Sequence, residues 1–389
     1  MTSTEQSSRV IAYAVEVWGR TFGGISGLDI SKRLSMPHDD VLRILEDLNA
    51  NGHGSLNRNV TLYSIKIDLE NPSEKLKGER VTTNIYFPSK EILHRAFFAS
   101  ELPSKNLPEY KKRLHLGASQ IELVFFTEEV LTRYLDHPEL YEIHDSLAGG
   151  DVCSLSELPE DRQLYVRYGK SKLKSGKTAV TAIVHDLSVM SPPEQRYWHS
   201  HEIEQPSIDR TDENFKRFLA RTYGGEFVDF PDPISDVVEA MTTVNEAFAP
   251  EMLFTRPENI HLRLPVEQTY KALCDSASEL YKLVGPDGIS QLTLRKHLAS
   301  RHGLKDDAFT HTETGRPFST MQLIGLLESL APPSNSYAKA VKKVGDLRID
   351  ADHKILTKEV GKANYSDVFA ALCSEVRAGL VSLADSTKR

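Results

Sequence analysis

From residue 235 to residue 389 the apolar residues of this chain return every three or four positions, segment after segment. That spacing puts them on one face of a helix, and such a face needs other helices to cover it. The segments run over 235–248, 266–284, 290–301, 319–330, 337–355 and 365–383, and Pro332-Pro333-Ser334-Asn335 parts the last two from the others. A helical domain over 235–389 is therefore expected.

The N-terminal stretch is patterned differently. Residues 1–8 are polar and expected to fray. Residues 9–21 bring Val10, Ala14, Val17 and Trp18, or alternatively Ile11, Ala14, Val15 and Trp18, onto one helical face, Gly23-Gly24 interrupts, and a short helix 28–34 follows. Pro37 suits the first turn of a third helix over 37–51, which gathers Val41, Ile44, Leu45 and Leu48 on one side and stops at Asn51-Gly52. Residues 54–56 and 60–67 then read as two strands around a turn at Asn57-Arg58-Asn59. Three helices and a two-stranded ribbon resemble a winged helix-turn-helix domain, here over residues 8–70. The resemblance implies a third helix that meets a ligand, which in many such domains is DNA.

Residues 71–79 form a polar connector. Beyond it, candidate strands at 81–87, 121–126, 164–168 and 178–184 alternate with helices at 90–100 and 127–135. Residues 205–233 read as a second transition, punctuated by Pro206, Gly224-Gly225, Pro231 and Pro233. The expected fold class is α+β multidomain: a winged helix over 8–70, a small mixed α+β domain over 79–205 and an all-α bundle over 235–389.

Charge narrows the function classes. With 47 Lys and Arg against 55 Asp and Glu the chain carries −8, which excludes a wholesale nucleic-acid coat. No stretch approaches the ~20 apolar residues of a membrane helix. The opening residues have neither the basic start nor the apolar run of a secretion signal. Cys153, Cys274 and Cys373 are scattered, so a cytoplasmic protein without a disulfide framework is expected. The average conceals a division. Residues 37–51 hold four acids (Asp39, Asp40, Glu46, Asp47) against Arg43, a net −3, whereas from residue 334 onward ten Lys and Arg outnumber seven acids. An acidic third helix repels duplex phosphate, so DNA contact would fall to Lys32, Arg33, Arg43 and Arg58. The same acids suit docking onto a basic protein.

Two further segments carry chemistry-bearing residues. Residues 171–178, S-K-L-K-S-G-K-T, have Ser171 where a phosphate loop needs glycine, and a strand-like run follows where that loop needs a helix. A basic hairpin turn is expected instead. His199 and His201, with His185-Asp186 upstream, would share a face if they lay on a strand, but no third ligand is fixed. Hydrogen-bonded histidines are expected there, with an aromatic anchor in the loop at 192–198. No metal and no cofactor are expected.

The most pointed feature lies in 346–353, D-L-R-I-D-A-D-H. Arg348 followed after four residues by His353 resembles the R-x4–6-H signature of the HEPN (higher eukaryote and prokaryote nucleotide-binding) superfamily. The resemblance implies a helical bundle, and in many members a metal-independent RNase of bacterial toxin–antitoxin or phage-defence systems, with Arg and His of two protomers meeting in a homodimer. Arg348 would hold the scissile phosphate and His353 would act as general acid or base. Lys339, Lys342 and Lys343 add basic charge on the same segment, as an RNA site requires. The expected function is nucleic-acid-directed defence or toxin-like activity. The alternatives are a non-enzymatic DNA-binding regulator and a scaffold subunit of a larger complex.

Overall fold

A computed structural model describes residues 3–65, 78–99, 107–155, 158–159, 163–255, 260–353 and 364–388. The fold is mixed α+β and divides into two compact units, 1–124 with 183–200 and 125–182 with 201–389.

Helix α1 (Ser3–Thr21) begins well before residue 9, so residues 3–8, expected to fray, are helical, and residues 1–2 lie outside the described residues. It buries Val10, Ala14 and Trp18, and the Trp18 indole donates to the Leu114 carbonyl at 2.9 Å. After the short strand β1 (Ile25–Ser26), the Ser26 hydroxyl accepts from the Asp29 amide and caps α2 (Gly27–Leu34). Ser35, at φ 53°, ends α2, and Pro37 leads into α3 (His38–Ala50). The α3 face of Val41, Ile44, Leu45 and Leu48 is buried.

Residues 66–67 lie outside the described residues, and residues 54–65 do not form a hairpin. They belong to one strand, β2 (Gly54–Ile65), which pairs with β3 (Gly78–Pro88). The expected turn at 57–59 is a shift in register between Asn57 and Val60, with Asn59 at φ 54°. Asn59 takes up the turn-like backbone locally while the ladder resumes beyond it. β3, expected to open the middle domain, is instead the central strand of an antiparallel sheet in the order β1-β3-β2. Tyr86 of β3 is fully buried beneath the three helices and donates its hydroxyl to the His53 carbonyl at 2.8 Å. Of the expected connector, 71–77 lies outside the described residues. Helices α4 (Lys90–Ala99) and α5 (Glu109–His115) follow.

The second unit opens with β4 (Leu123–Thr127), a 3-10 turn (Glu128–Leu131) and α6 (Thr132–Leu135). Strands β5 (Tyr141–Asp145), β6 (Gly149–Ser154), β7 (Tyr165–Lys172) and β8 (Thr178–Ile183) complete a sheet in the order β4-β8-β7-β6-β5. The segment between β7 and β8 is a hairpin turn with Gly176 at φ 85°, as expected of residues 171–178. The chain then returns to the first unit for α7 (Val184–Ser188) and α8 (Pro192–Ser200). The stretch expected as a loop at 192–198 is therefore helical; Pro192 and Pro193 fit its first turn, where no amide partner is lost. Trp198 is the fully buried anchor expected there.

The transition at 205–233 contains a helix, α9 (Glu213–Gly224), capped by Asp212 and ended by Gly225 at φ 66°. Its Phe218 packs so closely on β7 that a Cβ on Gly169 would fall 2.3 Å from the ring. The remaining helices are α10 (Pro233–Ala247), α11 (Tyr270–Val284), α12 (Gln291–His302), α13 (Thr320–Leu330), α14 (Tyr337–His353) and α15 (Tyr365–Lys388). Asp232, Thr269, Ser290 and Ser319 cap the first four, each a device worth ~1 kcal/mol. Val244, Leu280, Leu323, Val344, Phe369 and Val376 lie in their shared core, where each side chain contributes about 1.5–3 kcal/mol of burial. Among the described residues no helix is long and apolar enough to cross a membrane.

Candidate functional sites

On the first unit, two of the cations expected to reach phosphate are held by acids of α3. Arg43 pairs with Asp40 one turn away on the same helix. Arg58 reaches from β2 to Glu46, its Nε to Oε1 at 2.8 Å and its Nη2 to Oε2 at 2.5 Å. That two-pronged contact with Arg58 holds the Glu46 carboxyl below its ordinary value and raises the arginine's. Lys32 and Arg33 are exposed in the last turn of α2, and Asp39 and Asp47 are exposed on α3. The pairs neutralise Arg43 and Arg58 and leave the face of α3 acidic.

On the second unit a cleft of about 1120 Å³ is lined by residues of α6, α11 and α14 and by the segment before α11. Arg348 is exposed on its wall, with its guanidinium carbon 5.0 Å from the centre of the Tyr281 ring. Three other cleft cations face carboxylates: Arg263 with Asp136 at 2.9 Å, Lys271 with Asp275 at 2.5 Å and Lys282 with Glu279 at 2.5 Å. Six acids line the cleft beside Arg263, Lys271, Lys282 and Arg348, so its charge is net negative when His261 is neutral.

Helix geometry explains what α14 brings together and what it keeps apart. Tyr337, Val341 and Val344 are buried, and Arg348 continues their stripe one turn further, past the end of the core and onto Tyr281. Lys339, Lys342 and Lys343 are exposed roughly 120–180° around the helix from Arg348, at ~100° per residue. Lys343 pairs with Glu375 of α15 at 2.5 Å. The basic residues of this segment and Arg348 therefore do not share a face. His353 is the last described residue of α14, its backbone about 140° around from Arg348. Its side chain, like that of Asp352, lies outside the described residues.

A third constellation is buried within the second unit. Lys170 of β7 donates to Asp145 of β5 at 2.8 Å and stands 3.5 Å from Glu128. The Tyr168 hydroxyl donates to Asp145 at 2.6 Å, and Gln268 Nε2 donates to Glu128 Oε2 at 2.9 Å. Burial pushes the Glu128 carboxyl up to about 7, opposed by the Lys170 charge and reinforced by Asp145. Burial works against the Lys170 cation too, but Asp145 and Glu128 outweigh it and raise its pKa. Sequence reasoning passed over this cluster. Its one local trace is a lysine between Gly169 and Ser171 in a run that is buried on both sides.

The histidine pair does not fulfil its strand premise. His199 belongs to α8, and His201 lies beyond that helix with Nδ1 3.4 Å from Thr127 Oγ1. No group of three or more His, Cys, Asp or Glu among the described residues is placed to hold a metal. No family model, curated protein or solved structure matches this chain.

Proposed function

We propose that this chain is a nucleic-acid-directed protein of the bacterial defence or toxin type, with a HEPN-like helical domain whose RNA site is completed in a homodimer. The observation that carries this reading is Arg348, exposed on the wall of the large cleft with its head over Tyr281. A guanidinium so placed offers a planar fork to one phosphodiester. Because α14 turns positions 348 and 353 about 140° apart, a second copy supplies the histidine. Arg348 of one protomer holds the phosphate while His353 of the other takes the proton of the ribose 2′-hydroxyl. The 2′-oxygen then bonds to phosphorus and the 5′-oxygen leaves with a proton.

The test is cleavage of a labelled RNA in the presence of chelator. Arg348→Ala and His353→Ala each lose about 10²–10⁴-fold in rate. An equal mixture of the two variants recovers part of it, because mixed dimers keep one intact site. Variants that cleave as fast as the unaltered protein overturn the reading.

The Arg43–Asp40 and Arg58–Glu46 pairs favour a second reading, for the first unit. Three helices and a sheet in the order β1-β3-β2 support a winged helix-turn-helix, and the acidic face of α3 suits a basic protein surface rather than a duplex. Pull-down of basic over acidic peptides by the chain tests it; retention of duplex DNA through Lys32 and Arg33 instead restores the regulator reading.

A further inference from the structure

Three ionisable side chains of the second unit are almost without access to water: Glu128 at 2% exposed, Lys170 at 3% and Asp145 at 8%. One ammonium cannot neutralise two carboxylates, and the two acids are unequally served. Asp145 receives both the Lys170 ammonium and the Tyr168 hydroxyl. Glu128 receives one amide, from Gln268, on Oε2. Its Oε1 is at ion-pair distance from Lys170 and has no hydrogen-bond partner among the described residues. Two ionised carboxylates would leave this interior with a net negative charge, which a low dielectric makes costly. The acid with fewer donors is the one that keeps a proton.

We infer that Glu128 is a proton-binding site, carrying a proton on Oε1 on the acid side of neutrality, and that its ionisation strengthens the bond it accepts from Gln268 and so tightens the join between the cleft wall and the start of α15. Two chain segments support the second half of that statement. The 3-10 turn holding Glu128 runs directly into Thr132, Leu135 and Asp136 of the cleft, and Gln268 follows Pro265, Val266 and Glu267 of the cleft. Gln268 also accepts the Tyr365 amide at 2.9 Å through Oε1, so a single side chain ties Glu128 to the first residue of α15. Ser366 adds a hydrogen bond to the Pro265 carbonyl at 2.6 Å. The inference is independent of what the cleft binds.

The groups that face Glu128 are few. Lys170 and Tyr168 come from β7 and Asp145 from β5, while Asp151 of β6 acts on Tyr168. Lys172, Asp212 and Asp367 line the same small cavity, about 10 Å³, as Glu128 and Ser171, and Lys172 is paired with Asp367 at 2.6 Å. Ser171, 1% exposed, has its hydroxyl without a partner among the described residues, so an acceptor for the carboxyl proton lines the cavity. The sign of the effect follows from linkage. The folded midpoint is about 7 against an ordinary value of 4.5, so the folded chain holds the extra proton. The stability this gives is complete below the ordinary value and is lost as pH rises through about 7.

The test is a carbon-13 titration of the glutamate carboxyls of the full chain, read with the exchange protection of the Tyr365 amide. One carboxyl titrates near pH ~7, is absent from Glu128→Gln, and its ionisation raises the Tyr365 protection factor relative to the amides further along α15. Should Glu128→Gln fail to fold, Gln268→Ala removes the amide donor and moves the same resonance upward. The proposal is overturned if every glutamate titrates in the ordinary acid range, or if the neutral-range resonance ignores both substitutions. Tyr365 protection that stays constant across its midpoint overturns the coupling to α15.

Discussion

Arg58 of β2 donates from Nε and Nη2 to the two carboxylate oxygens of Glu46 on α3. The strand thus cancels one negative charge of the helix it lies beside. Both side chains are half exposed, so the pair adds little to stability and Arg58→Ala folds. What changes is the surface: Glu46 is unmasked and a basic peptide binds more tightly, by an amount that shrinks with added salt. Fluorescence anisotropy at two ionic strengths reads this out. If the substitution instead abolishes binding of duplex DNA, Arg58 is a phosphate contact and the docking reading is wrong.

Gly169→Ala introduces a Cβ 2.3 Å from the Phe218 ring. The rigid ring and the strand backbone both resist, so about 1–3 kcal/mol of stability is lost in urea unfolding. Adding Phe218→Leu to the variant restores part of it. Unaltered stability of Gly169→Ala would mean that α9 does not lie on β7 as described.

Lys170→Met keeps the length of the side chain and deletes the cation between two buried carboxylates. The loss is about 3–5 kcal/mol, and the Glu128 midpoint moves above about 7 because the attraction that lowered it is gone. Replacing Glu128 and Asp145 as well, by Gln and Asn, recovers much of the stability. A Lys170→Met protein as stable as the parent would leave the cluster without the electrostatic role given to it.

The helices of the second unit were legible because their ends are written locally. Thr269, Ser290 and Ser319 each stand one residue before the first turn and accept an amide three residues on, so pattern and punctuation agree. α9 carries equally good signals in Asp212 and Gly225, but lies in a stretch whose prolines and glycines suggested a linker. β2 misled for a different reason: Asn57-Arg58-Asn59 is turn chemistry used inside a continuous strand, and only its partner β3 shows that the strand goes on. The cluster of Glu128, Asp145, Lys170 and Gln268 could not be read at all. Its members are far apart in sequence, and their charges matter only once the sheet and the segment before α11 have removed them from water.

β3 is the last strand of its sheet to be synthesised and the middle one in space. The partners β1 and β2 emerge first and have nothing to hold until residues 78–88 arrive, and α1, α2 and α3 wait with them for the Tyr86 ring that fills their interior. A fragment cut at residue 70 would be three helices around a missing plug, prone to recruit any free strand as a substitute. On the ribosome, the same order leaves the three helices and their sheet unclosed until residue 88 has emerged.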